Sequence, residues 1–457
     1  MIDEFRLHNL FLQSVEAFER DDPHLSSLHG LPIVHPLDWW RGLGVERPGV
    51  FILTGGRQIG KSTSTKLLIR HALRDLGLPA AAILYLPCDS VVDHVHLVRI
   101  LRHFLDSLPD KALPFLLVVD EVTFVKEWPR AIKALADEGR FRRGICVITG
   151  SDTALLRDAA LAFPGRRGES ETADFHLMPI PFGEYAELAE PALPGTEPAR
   201  AERLHVLFRN YLVCGGYLRA INDLHAHGEV RPATYATFEQ WVRGDFLKRG
   251  RSEATLLSVL LQAILDVGVS QVSYSGLTGR VGTVGKETVM DYCGLLERMD
   301  VLLVLQAYDQ NRHRGSPKKA RKFHFVDPFI RGTIRRWLAR EGAPAGGDDE
   351  APAVEACVAA HLRRAGPVYY FKGHGEIDAV SLAGGRPSFI EVKWSDRVRL
   401  ADLAQLARMK EGVVLTRDVV EGAVEGVPAV PTPSFLHALA ARARKSRHPP
   451  GCRTDGA

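Results

Sequence analysis

The chain contains no apolar run approaching the roughly 18 to 20 residues that a helix needs to cross a bilayer. Its opening, MIDEFRLHNLFLQSVEAFERDD, is acidic where a secretory leader is basic. These two absences set the expectation of a cytoplasmic protein with no membrane partner. Cysteine is scarce: six in 457 residues, at 88, 146, 214, 293, 357 and 452, with no C-x-x-C pair and no histidine at zinc-finger spacing. That excludes a disulfide framework and a zinc module, and leaves reduced thiols. Charge of one sign is also lacking, because a formal net charge of +3 is too small to argue for a polyanionic partner unless the charges cluster. His94, His96 and His103 share one helical stretch, but i and i+2 positions face different ways, so they read as solvated side chains. What is present is ordinary globular material, 46% hydrophobic and 25% charged, long enough for two to four domains.

The most informative stretch is VFILTGGRQIGKSTSTKLLIRHAL, residues 50–73, where a β-branched apolar run meets a glycine-rich turn and then a helix. Gly55, Gly60, Lys61 and Ser62 fit G-x-x-x-x-G-K-[ST]. In such a P-loop the backbone N–H groups from Gly55 through Gly56, Arg57, Gln58, Ile59 and Gly60 to Thr63 close round phosphates. Lys61 reaches the β- and γ-phosphates, and the Ser62 hydroxyl coordinates Mg²⁺. The expected ligands are therefore ATP and Mg²⁺.

Phe115–Asp120, followed by Glu121, is a continuous apolar run ending in two carboxylates, the pattern of a central parallel strand. Asp120 is placed to hold Mg²⁺ through water and Glu121 to polarise the attacking water. A further apolar strand, Ile145–Ile148, leads into Thr149 and Ser151, either of which can sense the γ-phosphate. Phe163-Pro164-Gly165-Arg166-Arg167 offers two arginines in a turn. Either a neighbouring subunit's arginine completes the site in trans, or this is a solvated basic loop.

RQIGKST, DEVTFVKEW, TGSDTALL, PGRRGE, MPIPFGEY and YLVCGGY occur in that order, and with them the chain resembles a large family of prokaryotic AAA-type ATPases carrying a restriction-endonuclease-like C-terminal region. The resemblance runs from about residue 50 to 430, and the family is related to the signalling NTPases of the STAND type. It implies a homo-oligomer, a hexamer favoured, with ATP between subunits, and a small helical lid over residues 200–250.

Residues 190–203 are rich in Pro, Ala and charge and read as a connection, and the glycines of Cys214-Gly215-Gly216-Tyr217 permit a sharp bend between helices. From Thr255 the order helix, helix, helix and two-stranded wing describes a winged-helix domain, residues 251–340, which the resemblance also implies. Residues 241–340 hold 17 Lys and Arg against 9 Asp and Glu. The wing carries Arg312, Arg314, Lys318, Lys319, Arg321 and Lys322, the candidate contacts to DNA phosphates. A solubilising loop or a protein-docking surface has the same composition.

EGAPAGGDDEAPA, residues 341–353, reads as a linker. Beyond it the order α-β-β-β-α-β, with Asp378 on one strand and Glu391-Val392-Lys393 on the next, describes a PD-(D/E)XK nuclease-like domain at residues 354–440. Alternation puts Glu391 and Lys393 on one strand face. Asp378 and helical Glu355 complete a carboxylate set for Mg²⁺, with Lys393 orienting a water or stabilising the phosphate. The final residues 441–457 read as a disordered basic tail.

The expected architecture is α/β: a helical lead-in (1–49), a P-loop AAA-type ATPase core (50–188), a helical lid, a winged helix and a restriction-endonuclease-like domain. The expected function is Mg²⁺-dependent ATP hydrolysis acting on DNA by translocation, branch migration or remodelling, with phosphodiester cleavage as a further option. The alternative is a STAND-type signalling ATPase whose nuclease-like domain binds without cutting.

Overall fold

The computed structural model describes residues 2–42, 48–108, 114–150, 156, 174–248, 254–282, 284–342, 350–395, 398, 403–417, 422–424 and 426–447. The chain forms two compact units, residues 1–178 and 179–457.

In the first unit β1 (Gly49–Gly55), β2 (Ile83–Pro87), β3 (Phe115–Asp120), β4 (Gly144–Thr149) and β5 (Asp174–Leu177) form a parallel sheet in the order β2-β3-β4-β1-β5. β1, β3 and β4 are buried along their whole lengths, which is why they read as unbroken apolar runs. The lead-in is built of short helical pieces. It consists of 3₁₀ turns at Ile2–His8 and Leu10–Leu12, then α1 (Val15–Asp21) and α2 (Pro23–Ser26). Phe11 and Phe18 meet edge to face within it, centroids 5.4 Å apart. Asn9 ties it to the edge strand: its Nδ2 donates to the Tyr85 carbonyl at 2.9 Å, and its Oδ1 accepts from the Tyr85 N–H at 2.8 Å. These bonds satisfy backbone groups that an edge strand otherwise leaves unpaired.

α3 (Lys61–Arg74) follows the P-loop, starting from Gly60 at φ +95°. α4 (His94–Asp106) starts at Asp93, whose carboxylate accepts from the His96 N–H at 2.8 Å. α5 (Trp128–Asp137) follows β3. Among the described residues, no group of three or more His, Cys, Asp and Glu is arranged to hold a metal ion.

The second unit opens with α6 (Phe182–Ala189), α7 (Glu197–Cys214), α8 (Leu218–His227) and α9 (Pro232–Lys248). α7 starts inside the segment expected as a connection. The Gly215-Gly216 turn between α7 and α8 has a cause beyond the bend. Gly215 sits at φ +56°, and a Cβ there would lie 1.8 Å from Asp327 Oδ1. The Gly216 N–H donates to Asp327 Oδ2 at 2.9 Å, so the turn exists to receive a buried carboxylate. Burial raises that carboxyl to about 6, against the backbone N–H groups of Gly216 and Phe329, which favour its charged form.

α10 (Ala254–Val267), α11 (Tyr274–Val281) and α12 (Lys286–Arg298) precede a hairpin of β6 (Leu302–Asp309) and β7 (Arg314–Phe325), then α13 (Pro328–Arg340) and α14 (Ala351–Ala365). Val272 and Arg321 exchange both backbone hydrogen bonds, at 2.8 and 2.9 Å, an isolated antiparallel bridge beside the hairpin. β8 (Val368–Lys372), β9 (Glu376–Ser381), β10 (Ser388–Lys393), β11 (Gly412–Thr416), β12 (Gly422–Val424) and β13 (Val427–Pro431) follow. The hairpin joins them through the pair Ala307–Tyr370, giving one eight-stranded sheet in the order β12-β13-β11-β10-β9-β8-β6-β7. α15 (Thr432–Arg447) ends the described chain, so residues 441–447 of the expected disordered tail are helical. No described helix is long and apolar enough to cross a membrane. The five described cysteines are free and buried.

Candidate nucleotide and carboxylate sites

The P-loop leaves β1 at Gly55, whose φ is +146° and where a Cβ would lie 2.6 Å from the Leu177 carbonyl oxygen. Only glycine fits so close an approach to β5. Gln58 and Gly60 continue in left-handed conformations. The Lys61 ammonium donates to the Gly55 and Gly56 carbonyls, both at 2.9 Å, which holds it inside the loop it serves. Two residues of the lead-in pack on this region. Leu37 touches Gly60, and the Trp39 indole N–H donates to Ser64 Oγ at 3.1 Å.

Strand order explains how distant sequence converges here. β4 lies between β1 and β3, pairing Leu53 with Thr149 on one side and Val119 with Ile148 on the other. Thr149, at the tip of β4, is fully buried with its hydroxyl unpartnered. Tyr85 connects the two motifs: its hydroxyl donates to Asp120 Oδ2 and lies beside the Ser62 side chain. Burial, and then the Asp120 charge, raise the phenol above its ordinary value, so Tyr85 donates rather than ionises. Asp120 Oδ1 is buried without a partner. A hydroxyl and a buried carboxylate oxygen brought together are a donor set that suits Mg²⁺. Glu121, next in sequence, is half-buried at φ +54°. Ser151, Arg166 and Arg167 lie outside the described residues.

Sequence reasoning missed what stands behind this site. Lys66 of α3 is buried, its ammonium 3.0 Å from Asp22 Oδ2, donating to the His8 carbonyl at 2.7 Å and lying 3.6 Å from the centre of the Tyr85 ring. Burial pulls Lys66 below its ordinary pKa, and Asp22 offsets this in part. The helical lead-in thus supplies the counter-charge for a lysine that touches the tyrosine holding Asp120.

The second unit collects a different cluster. Lys322, expected on the surface of the wing, is a correction: it is 1% exposed, because β7 turns it inward beneath α14 and β9. Its ammonium lies 2.8 Å from Glu355 Oε1, 2.8 Å from Glu376 Oε1 and 3.0 Å from Asp378 Oδ1. Glu376 was missed, although it lies two residues before Asp378 and so on the same strand face. Lys393 donates to Glu391 Oε1 at 2.6 Å, and Glu391 Oε2 is buried without a partner. The Val392 N–H donates to Asp378 Oδ2 at 2.9 Å. Burial, with Asp378 next in effect, pushes Glu355 up to about 8 and Glu391 up to about 7. Glu355, Asp378 and Glu391 therefore share a neighbourhood, but a lysine stands among them, and the Mg²⁺ set expected there does not fit this arrangement.

The other wing residues divide. Arg312, Arg314, Lys318 and Lys319 are exposed. Arg321 is half-buried, its guanidinium 4.6 Å from the centre of the Tyr274 ring and bonded to the Lys319 and Pro317 carbonyls. The exposed face of α12 carries Glu287, Asp291 and Glu297 against Lys286 and Arg298, so positive charge resides on the hairpin and not on that helix.

A family model described as an AAA domain matches residues 47–186. The P-loop unit is thus an AAA-type ATPase domain, and nucleotide binding belongs to it. A second model, described as a domain of unknown function (DUF8612), matches residues 205–341. An uncharacterized protein of Haemophilus influenzae is 26% identical over 304 residues, 64% of this chain and 70% of its own length. Among solved structures, a Walker-type ATPase of Pyrococcus abyssi aligns at 13% identity over 70% of this chain and 96% of its own, with a TM-score of 0.42. The ORC2 protein of Aeropyrum pernix aligns at 14% identity over 73% of this chain and 94% of its own, with a TM-score of 0.38.

Proposed function

We propose that this chain hydrolyses ATP with Mg²⁺ and applies the resulting motion to DNA as a homo-oligomer, a hexamer favoured. The observation that carries hydrolysis is the buried Asp120, bonded by the Tyr85 hydroxyl on one oxygen and unpartnered on the other, with Lys61 held inside the loop. Ser62 and Asp120 would hold the ion, which offsets phosphate charge when bound. Lys61 binds the phosphates, Glu121 orients the attacking water, Thr149 or Ser151 reports the γ-phosphate, and Arg166 or Arg167 of a neighbouring subunit completes the site. Residues 251–340 are read as a winged helix that engages DNA through the hairpin residues Arg312, Arg314, Lys318 and Lys319, as non-specific phosphate contacts. Residues 354–440 are read as a PD-(D/E)XK-like fold.

The test is ATP turnover by wild type and Lys61→Ala with single-stranded, duplex and branched DNA at low and moderate salt. We expect stimulation by at least one DNA in wild type and none in the variant. Turnover indifferent to every DNA at both salts would remove the DNA reading while leaving nucleotide binding intact. One observation favours a second reading, a STAND-type signalling ATPase with a non-cutting nuclease-like domain: Lys322 sits among the carboxylates that cleavage would need for metal. Turnover that ignores DNA and responds to a protein partner would select it.

A further inference from the structure

The acidic centre of the second unit is organised round a side chain. An ammonium has three N–H donors, and the Lys322 ammonium is ion-paired with three carboxylates, Glu355 on α14 and Glu376 and Asp378 on β9, at 2.8, 2.8 and 3.0 Å. The ammonium donates hydrogen bonds to Glu355 and Asp378 and is ion-paired with Glu376. A hard divalent cation takes oxygens at about 2.0 to 2.6 Å, so it and the ammonium cannot share this point. Neither charge could tolerate the other so close in a buried setting.

Charge supplies the second argument. Glu355, Glu376, Asp378 and Glu391 face three ammoniums, Lys322, Lys393 and Lys372, the last 3.5 Å from Glu376 Oε2. Without Lys322 the set has two more carboxylates than ammoniums, and its oxygens include Glu391 Oε2, already buried and unpartnered. Hard cations take such an oxygen shell. The backbone of Lys322 is held opposite Leu305 in the β6–β7 ladder. The β6–β7 ladder pairs Gln306 with Arg321 and then Ala307 with Ser316, so residues 317–320 lie outside it as a bulge just before Lys322. Lys318 and Lys319, exposed, sit in that bulge.

We propose that Lys322 is a built-in counter-ion that excludes divalent cations from this centre, and that withdrawing it converts Glu355, Glu376, Asp378 and Glu391 into a site for one hard divalent cation. The fold as described is then closed to metal-assisted cleavage, and β7 is the element that closes it. The inference is independent of the ATPase reading.

The test is Mn²⁺ binding to the nucleotide-free full chain, read from the electron paramagnetic resonance of free Mn²⁺. Lys322→Met should take up one more equivalent than wild type, at least tenfold more tightly than any Mn²⁺ wild type holds. Adding Glu391→Gln to Lys322→Met should abolish the gain. Equal uptake by wild type and Lys322→Met overturns the proposal, as does a wild-type equivalent that Asp378→Asn removes. Should Lys322→Met fold poorly, its thermal transition decides: a rise with Mn²⁺ that wild type does not show supports the exclusion, and no rise refutes it. In wild type, amine labelling read by mass spectrometry should leave Lys322 unmodified with and without millimolar Mn²⁺. Labelling that appears with Mn²⁺ would mean that the ion displaces the lysine unaided, and would overturn it.

Discussion

Replacing Asp22 with alanine tests whether the N-terminal lead-in is part of the nucleotide-binding unit in energy as well as in position. The Asp22 and Lys66 side chains are 1% and 2% exposed, 3.0 Å apart. Removing one partner strands a buried charge, at a cost of about 3 to 5 kcal/mol. Asp22 also caps α2, accepting from the His24 and Leu25 N–H groups at 2.9 and 3.3 Å, and losing a cap costs about 1 kcal/mol. The expected loss is thus about 4 to 6 kcal/mol, comparable with the whole stability of many domains. Hydrogen-exchange mass spectrometry of α3 and β1 amides across a urea series reads it locally. Asp22→Ala with Lys66→Met should recover most of the loss, because no charge is then stranded. The deficit of the single variant should narrow as pH rises, since burial lowers the Lys66 pKa and the neutral amine carries less desolvation penalty. A loss under about 1 kcal/mol, or a double variant no more stable than the single one, would refute the buried pair.

Glu121→Gln should keep ATP affinity and lower turnover by about 10² to 10⁴; equal losses in binding would show that Glu121 shapes the pocket instead. Gly215→Ala puts a methyl group 1.8 Å from Asp327 Oδ1 at a φ of +56°, and should cost the second unit more than about 3 kcal/mol in a urea titration. His361 is buried, its Nε2 accepting from the Phe182 N–H at 2.8 Å and its Nδ1 2.7 Å from the Cys357 carbonyl, which fixes the neutral tautomer. Burial, and then Arg364, lower its pKa from 6.5 to about 3. Its contribution is therefore complete above pH 6.5 and is lost on acidification at about 1.4 kcal/mol per pH unit down to about pH 3. The difference between wild-type and His361→Gln urea midpoints across that window should show this slope, and parallel profiles would exclude it. Changing Arg312, Arg314, Lys318 and Lys319 together to Gln should lower the slope of log K against log salt for duplex DNA by up to about 3 to 4; an unchanged slope would take the hairpin out of the interface.

The nucleotide site was legible because its signals are local. The glycines at 55 and 60 are required by backbone conformation within six residues, and the acid at 120 announces itself by the apolar run before it. The burial of α3 was only half legible. Leu67, Leu68 and Ala72 show the inner face, but Ser64, Thr65 and Lys66 are buried as well, because the lead-in covers the opposite side. A lysine in an amphipathic helix ordinarily reads as solvated, and its partner lies 44 positions away.

The same physics separates the two carboxylate clusters. Local periodicity and motif spacing were enough for the P-loop, the strand that ends at Asp120 and the alternation that pairs Glu391 with Lys393, because each depends on neighbours along the chain. Only the tertiary structure could decide which cation sits among Glu355, Glu376 and Asp378. Lys322 lies in a basic run indistinguishable from the exposed residues at 318 and 319, but it pairs opposite Leu305 within the β6–β7 ladder and is buried. Charge states a composition; burial, set by distant packing, decides what that charge meets.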